Sequence, residues 1–363
     1  MNICFFHAGF SNIGGIERAA SILLNELSLD EKYELYSLEY TKIDNKCLYN
    51  INENVKRENV FEERISMVTA IMKRHIIAKV RAFIRKNDID IIVACGALYF
   101  PVAVLAAKRT QAKVICWEHT NPHVVSDYKF QKMARRFGLK RSDKNVLITA
   151  RALAVYESIK KGKNTLIYNP VDNALFEKDA AYDADSQKII SVGRLCYAKN
   201  YDALIEIAQE VLTAHKDWSW DIYGGGEEFD RLNQKISSSS IADQLTLKGN
   251  VLDIYDRYAN YSFIVMTSRY EGFPFVLLEA SAKALPMVSF DIETGPGEII
   301  SNGQNGYLIP EGDKKLFVEN LNTLIDNKEL RRSMSANSYQ TSKRFRIDKI
   351  SLQWKALFEE MLS

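Results

Sequence analysis

The stretch TLIYNPVDNALFEKDAAYDADSQKIISVGRL, residues 165–195, decides how the chain is divided. It begins with the turn signal Asn169-Pro170, crosses an acidic and polar run at 177–187, and ends in Lys188–Val192, an apolar run that stops at Gly193. A strand that opens a new series straight after a polar connection marks a second domain. Onward from it, strand-like runs recur at WDIYGGGEEF (220–229), LTLKGNV (245–251), FIVMTSR (263–269), PMVSFD (286–291) and GYLIP (306–310). Backward from it they recur at KNVLITA (144–150), KVICWEH (113–119), DIIVACG (90–96), YELYSLEY (33–40) and NICFFHAG (2–9). Amphipathic stretches such as 15–28 and 101–110 separate them. Strand and helix in alternation mean parallel sheets with helices on both faces.

The expected architecture is α/β, with two Rossmann-like parallel-sheet domains at 1–170 and 171–344. The amphipathic segment 345–363 is expected to pack back on the first domain as a helix. Open sheets of this kind bind ligands beyond the carboxyl ends of their strands, so two of them would face a central cleft. The polar, Gly-rich segments of the chain fall at those ends: HAGFSNIGGIE, WEHTN, VGRLCYAKN, IYGGGEE and SRYEGFPF.

With 363 residues the chain exceeds the size at which single cores stop growing, which also favours two domains. Its 47% hydrophobic and 26% charged residues describe a globular protein, and the net charge of +2 gives no ground for a nucleic-acid partner. The cysteines carry no CxxC pair, and Cys4, Cys95 and Cys116 lie in apolar runs, which suits a reducing cytoplasm. The N-terminus lacks the basic and cleavage regions of a secretory signal, and no run approaches the ~20 apolar residues needed to span a bilayer. Any membrane contact is therefore expected to be peripheral.

In SVGRLCYAKN (191–200), Arg194 offers a planar fork and Lys199 a compact charge, a combination suited to a diphosphate. Taken alone, the pair is equally compatible with a solvated loop. In SRYEGFPFVLLEASA (268–282), Gly272 and Pro274 make a turn and a helix begins near Phe275. Glu271 then lies in the loop and Glu279 inside the helix, two acceptors suited to sugar hydroxyls. Taken alone, Glu279 is equally a buried paired acid, and Glu271 a favourable charge at a helix N-terminus.

Glu271 and Glu279, with seven residues between them, closely resemble the E-x7-E motif of the retaining glycosyltransferases of family 4, which have the GT-B fold. VGRLCYAKN is similar to that family's Gly-Arg...Lys diphosphate motif, GFSNIGGIER to its N-terminal Gly-Gly loop, and IYNPVD to its interdomain connection. WEHTNPH resembles the branch that includes amylovoran-type galactosyltransferases. The resemblance runs the whole chain in order. It implies that Arg194 and Lys199 bind the donor diphosphate, that Glu279 holds the ribose, and that Glu271 contacts the hexose, with the amides of Gly272, Phe273 and Phe275 nearby. It further implies that His119 lies close to the transferred sugar and that Gly14 and Gly15 let backbone approach phosphate and acceptor. Two departures concern loop detail: YGGGEE replaces a Gly-Asp-Gly-Pro type loop, and Ala284 stands where Gly is common.

The activity so implied is transfer of a hexose (galactose, glucose or N-acetylhexosamine) from a UDP-sugar to a growing, lipid-linked cell-surface polysaccharide, with retained configuration. A nucleotide-sugar epimerase or hydrolase of the same fold, or a non-catalytic sugar-nucleotide-binding scaffold, are the competing readings. No cofactor and no metal are expected: Asp88/Asp90 and Asp183/Asp185 lie in the wrong settings for a metal-dependent transferase. GFSNIGG lacks the G-x-G-x-x-G spacing of a dinucleotide site, and no GK[ST] marks a P-loop. Two basic segments, 72–86 and 129–141, raise the expectation of contact with an anionic membrane through Lys79, Arg81, Arg85, Lys86, Lys129, Lys132, Arg135, Arg136, Lys140 and Arg141, although Ile76, Ile77, Val80, Phe83 and Ile84 also fit an ordinary core-facing helix.

Overall fold

The computed structural model describes residues 1–11, 14–41, 47–62, 75–122, 129–158, 162–177, 182–251 and 254–363. Asn12 and Ile13 of the first Gly loop, residues 72–74 of the first basic segment, His123, and residues 178–181 of the acidic connection lie outside the described residues. The chain forms two compact units, Met1–Pro170 with Ile347–Ser363, and Val171–Arg346. Each is a wholly parallel sheet flanked by helices, so the α/β reading with two Rossmann-like domains holds.

The strands of the first unit are β1 (Asn2–His7), β2 (Glu34–Thr41), β3 (Val55–Phe61), β4 (Ile91–Cys95), β5 (Lys113–Glu118), β6 (Lys144–Leu147) and β7 (Asn164–Leu166), in the order β3-β2-β1-β4-β5-β6-β7. Two were not legible: β3, VKRENVF, is too polar to read as a strand, and β7 has only three residues. Cys4 registers with Tyr36 on one side and Ile92 on the other. Cys4, Phe6, Ile92, Ala94, Val114 and Cys116 share one core cluster with Ile76, Val80 and Phe83 of the helix His75–Lys86 and with residues of Phe100–Ala107. Phe5 and Trp117 instead meet Trp354 of the C-terminal helix Ile347–Leu362, with ring centroids 6.2 and 4.9 Å apart. Both sheet faces are thus covered, which is why the strands read as unbroken apolar runs.

The helix His75–Lys86 is a core-facing helix, and its basic residues serve the unit itself. Arg81 donates to the carbonyls of Leu105 and Ala106, at 2.6 and 3.1 Å, at the end of Phe100–Ala107. In the helix Lys129–Arg141 the expectation fails for Arg135, which is buried and ion-paired with Glu118 at 3.0 Å. Period 3.6 turns Arg135 inward together with Ala134 and Leu139, while Lys129, Lys132, Met133, Arg136 and Lys140 face outward.

The second unit contains β8 (Lys188–Val192), β9 (Ser219–Tyr223), β10 (Leu245–Gly249), β11 (Phe263–Met266), β12 (Met287–Asp291) and β13 (Gly306–Pro310), in the order β10-β9-β8-β11-β12-β13. Ile189, Ile222, Phe263, Val265, Val288 and Phe290 pack against the helices Tyr201–Ala214 and Lys314–Asp326. The helix Phe275–Ala282 is buried from Leu277 to Ala282, as its apolar composition demands. The acidic connection is anchored by buried Arg331, whose guanidinium satisfies the last carbonyls of Lys314–Asp326, Leu324 and Ile325, and also the carbonyl of Ala184, at 2.5 to 2.8 Å. Val171 N–H donates to the Phe345 carbonyl at 2.7 Å, so the chain enters and leaves this unit side by side.

Candidate active site

In the second sheet the chain runs from β8 outward to β9 and β10, then returns to β11 on the other flank of β8. The β8/β11 border is therefore the topological switch point, where two loops diverge and leave a crevice. The loop after β8 carries Arg194 and Lys199, and the loop after β11 carries Glu271.

Backbone bonds fix both loops. Gly193 N–H donates to Tyr223 O and Leu195 N–H to Gly225 O, each at 2.9 Å, which ties the Arg194 loop to the Gly triplet after β9. The triplet has to be small: a Cβ on Gly224 would stand 1.9 Å from the Gly193 carbonyl oxygen, and its φ of +144° disfavours any side chain. That packing is the physical content of YGGGEE. Lys199 closes a short 3-10 turn, Tyr197–Lys199, and Asn200 follows in the left-handed region. Thr267 Oγ1 donates to the carbonyls of Lys199 and Asn200, and Arg269 N–H to Ala198 O at 2.8 Å, so the two loops are laced together.

Lys199 Nζ consequently lies 2.5 Å from Glu271 Oε1, with the side chains 21% and 13% exposed. Ser268 Oγ donates to the same carboxylate oxygen at 2.7 Å, and Thr294 Oγ1 to the Glu271 carbonyl at 2.5 Å. Arg194 is 74% exposed and meets Glu227 at 3.4 Å, a contact of the kind that contributes ~0–1 kcal/mol and leaves the guanidinium able to turn to a ligand. Gly272 and the buried Phe273 continue the loop, and Phe275 starts the helix. Glu279, on its second turn, is buried and accepts from Tyr258 Oη at 3.2 Å. The structure thus brings Lys199 and Glu271 together and sets Glu279 deeper. Ser268, Thr267, Thr294 and Tyr258 were not singled out from sequence, and nothing beyond the nearness of Ser268 to Glu271 announces them.

In the first sheet the corresponding border is β1/β4. Gly14 caps the helix Gly15–Leu27 in an extended conformation, and the Tyr49 hydroxyl both accepts from its N–H and donates to its carbonyl, each at 3.1 Å. A Cβ there would fall 2.4 Å from the Glu17 carboxylate, a buried group whose desolvation pushes its acid up from the ordinary range. His119 follows β5. Its ring leans on Trp117, centroids 4.4 Å apart, and neither ring nitrogen has a hydrogen-bond partner among the described residues. Burial lowers its pKa to about 3, so the imidazole is neutral at physiological pH. His7, also buried, is committed to the fold: it accepts from Gly9 N–H and meets Ser37 Oγ at 2.9 Å.

Among the described residues no group of three or more His, Cys, Asp or Glu is placed to hold a metal ion. Asp90 accepts from Asn2 N–H, Asp183 from Asp185 N–H, and Asp185 pairs with Lys328. No helix among these residues is long and apolar enough to cross a membrane.

Residues 172–341 match the family described as Glycosyl transferases group 1, and residues 45–175 match Glycosyltransferase Family 4. The amylovoran biosynthesis glycosyltransferase AmsD of Erwinia amylovora is 30% identical over 95% of this chain and 96% of its own. An uncharacterized glycosyltransferase of Haemophilus influenzae is 26% identical over 98% of this chain and 99% of its own. Among solved structures, a mutant of S. aureus TarM in complex with fondaparinux, alpha-GlcNAc-glycerol and UDP covers 99% of this chain and 100% of its own, with a TM-score of 0.83 at 15% identity. Anabaena HepE in complex with UDP has a TM-score of 0.80 at 17% identity and covers 99% of this chain and 100% of its own. With the two-sheet architecture and full-length similarity in agreement, the chain belongs to the group 1/family 4 glycosyltransferases, of GT-B fold.

Proposed function

We propose that the protein transfers a hexose from a UDP-sugar to a growing, lipid-linked surface polysaccharide with retention of configuration. The observation that carries the reading is the cation–carboxylate pair Lys199–Glu271 at the β8/β11 switch point, with Arg194 exposed beside it. UDP in the crystals of TarM and HepE and amylovoran biosynthesis in the name of AmsD support the choice of donor and acceptor class.

As the bond from C1 to the diphosphate oxygen breaks, negative charge grows on the leaving group, and cations aimed at it lower the barrier. Arg194 turns from Glu227, and Lys199 from Glu271, toward the phosphates. Glu271, relieved of its lysine, accepts from a hexose hydroxyl, while the amides of Gly272, Phe273 and Phe275 lie along the same loop. Glu279 holds the ribose hydroxyls once Tyr258 gives way. Gly14 and Gly15 leave room for phosphate and acceptor, and neutral His119 offers a donor or acceptor to the sugar. The leaving phosphate takes the acceptor proton, and Arg194 and Lys199 meet the charge growing on the diphosphate, the role a metal ion would otherwise fill, so turnover is expected without metal or cofactor. The exposed face of Lys129–Arg141, with Lys132, Arg136 and Met133, meets an anionic membrane peripherally at the cytoplasmic side, where lipid-linked acceptors are extended.

The test is UDP release with a panel of UDP-hexoses and lipid-linked glycan acceptors, with the product anomer assigned by NMR. Donor hydrolysis or epimerisation that does not depend on acceptor, or an inverted product, overturns the reading. Dialysis against EDTA leaves turnover unchanged, and reversing Lys132, Arg136 and Arg141 reduces sedimentation with anionic liposomes.

A further inference from the structure

We propose that Arg135 is a positioning residue that fixes the place of His119, acting through Glu118 and Thr120; its consequence for catalysis rests on the reading of His119 given above. The Glu118 side chain is fully buried and that of Arg135 is 9% exposed, with Nε 3.0 Å from Oε2. The other carboxylate oxygen, Oε1, accepts from Thr120 N–H at 2.9 Å and from Thr120 Oγ1 at 2.5 Å. Arg135 Nη2 in turn donates to Thr120 Oγ1, also at 2.5 Å. Glu118 and Thr120 flank His119 directly, so this ring of contacts spans that one residue and restrains the backbone on either side of it. The Tyr156 hydroxyl faces the same pair from the helix Ala150–Glu157.

A buried ion pair is rarely more stabilising than apolar residues of the same volume, so its use here points to geometry. The His119 ring fits that account. It leans on Trp117 with the ring planes 50° apart, and Trp117 in turn meets Trp354 edge to face, yet neither nitrogen is consumed by a partner among the described residues. Among the described residues the restraints fall on position, and the ring nitrogens are left open to a ligand. Because Arg135 comes from another helix, 16 residues along the chain from His119, the clamp also makes the end of β5 depend on the seating of Lys129–Arg141.

The experiment compares wild type with Arg135→Met, Arg135→Lys, Arg135→Ala for chemical rescue, the double variant Glu118→Gln/Arg135→Met, and Arg136→Met as an exposed control. Amide exchange of a peptide covering 117–122 is followed without substrate. Arg135→Met is expected to exchange at least tenfold faster there while the rest of the unit is unchanged, Arg135→Lys to fall between, and Arg136→Met to match wild type. Adding methylguanidine to Arg135→Ala restores protection, whereas ethylamine does not. With donor and acceptor, Arg135→Met loses about a hundredfold in kcat with donor KM within threefold, and methylguanidine recovers activity in Arg135→Ala. Unchanged exchange at 117–122 in Arg135→Met overturns the clamp, as does faster exchange without any guanidinium rescue. Exchange and rescue as expected in a wild type that turns over no nucleotide sugar would instead condemn the functional reading and leave the clamp standing. Should Arg135→Met not fold, Arg135→Lys and the double variant, which buries no unpaired charge, decide the same question.

Discussion

Replacing Gly224 by Ala is expected to disable the donor loop without unfolding the chain. The new Cβ would sit 1.9 Å from the Gly193 carbonyl oxygen and 2.8 Å from its carbon, both well inside the ~3.5 Å at which such atoms rest. The obstacle is backbone, so no rotamer change relieves it. The φ of +144° adds a cost on the order of 1–3 kcal/mol for a side chain there. Moving the loops apart gives up the bonds Gly193 N–H to Tyr223 O and Leu195 N–H to Gly225 O, both 2.9 Å, at ~1 kcal/mol each. The sum, about 4 kcal/mol, is too large to absorb in place and is relieved most cheaply by shifting residues 193–199. A displacement of ~1 Å at Arg194 and Lys199 costs roughly a hundredfold in turnover. Isothermal titration with UDP and steady-state kinetics measure the effect. Gly312→Ala is the control: its φ is +83°, yet nothing lies within 4 Å of the added carbon. It is expected to lower stability by ~1 kcal/mol and leave UDP affinity alone. UDP affinity and kcat within twofold of wild type in Gly224→Ala would show that the loop packing does not set the cation positions.

Arg194→Ala and Lys199→Ala are each expected to lower kcat by about a hundredfold to a thousandfold, as for removal of one preorganised donor; UDP release assays read this, and intact turnover in both refutes the cation assignment. Stability should fall on acidification. His119 and His7 have folded pKa values of about 3 against 6.5, so below pH 6.5 the unfolded chain takes up protons that the folded chain refuses until about pH 3. Each therefore contributes stability that is complete above pH 6.5 and declines by ~1.4 kcal/mol per pH unit below it. Urea unfolding of His119→Gln should lose about 2 kcal/mol less between pH 7 and 5 than wild type; an equal loss refutes the neutral, buried histidine. Ala284→Gly should raise stability by ~1 kcal/mol. Ala284 has φ +60° and holds the C′ position of Phe275–Ala282, where Leu285 N–H bonds Ala280 O and Ala284 N–H bonds Ser281 O. Calorimetry showing a lower Tm would mean that the buried methyl outweighs the backbone strain.

Strand and helix existence was legible because burial on both sheet faces writes itself as runs such as IIVAC and FIVM. β3 escaped because an edge strand needs only one covered face and can be as polar as VKRENVF. The cations and acids of the second unit were legible as types at spacings. That Lys199 and Glu271 touch was not, since it depends on β8 and β11 being neighbours across 72 residues. Arg135 shows the limit more sharply. KFQKMARRFGLKR reads as one basic face, and only the position of Glu118 on a different element reveals which arginine turns inward.

The strand ends of the two sheets manage charge in opposite ways, which fits the proposal that they take different ligands. In the first unit burial or pairing silences these groups among the described residues: His7 and His119 are neutral, Glu17 is pushed toward its acid form, Glu118 is matched by Arg135 and Glu39 by Arg57. In the second unit Arg194 stands 74% exposed, and Lys199 reaches the surface with one carboxylate beside it. A dianionic diphosphate gains only where cations can turn toward it, whereas a neutral sugar hydroxyl is served by an uncharged imidazole and by backbone. Solvent screens the exposed cation over a Debye length of ~8 Å at physiological salt, so UDP affinity should weaken as salt rises from 50 to 500 mM. A neutral acceptor glycan held by the first unit should keep its affinity over the same range. Equal salt sensitivity for both ligands would break the division.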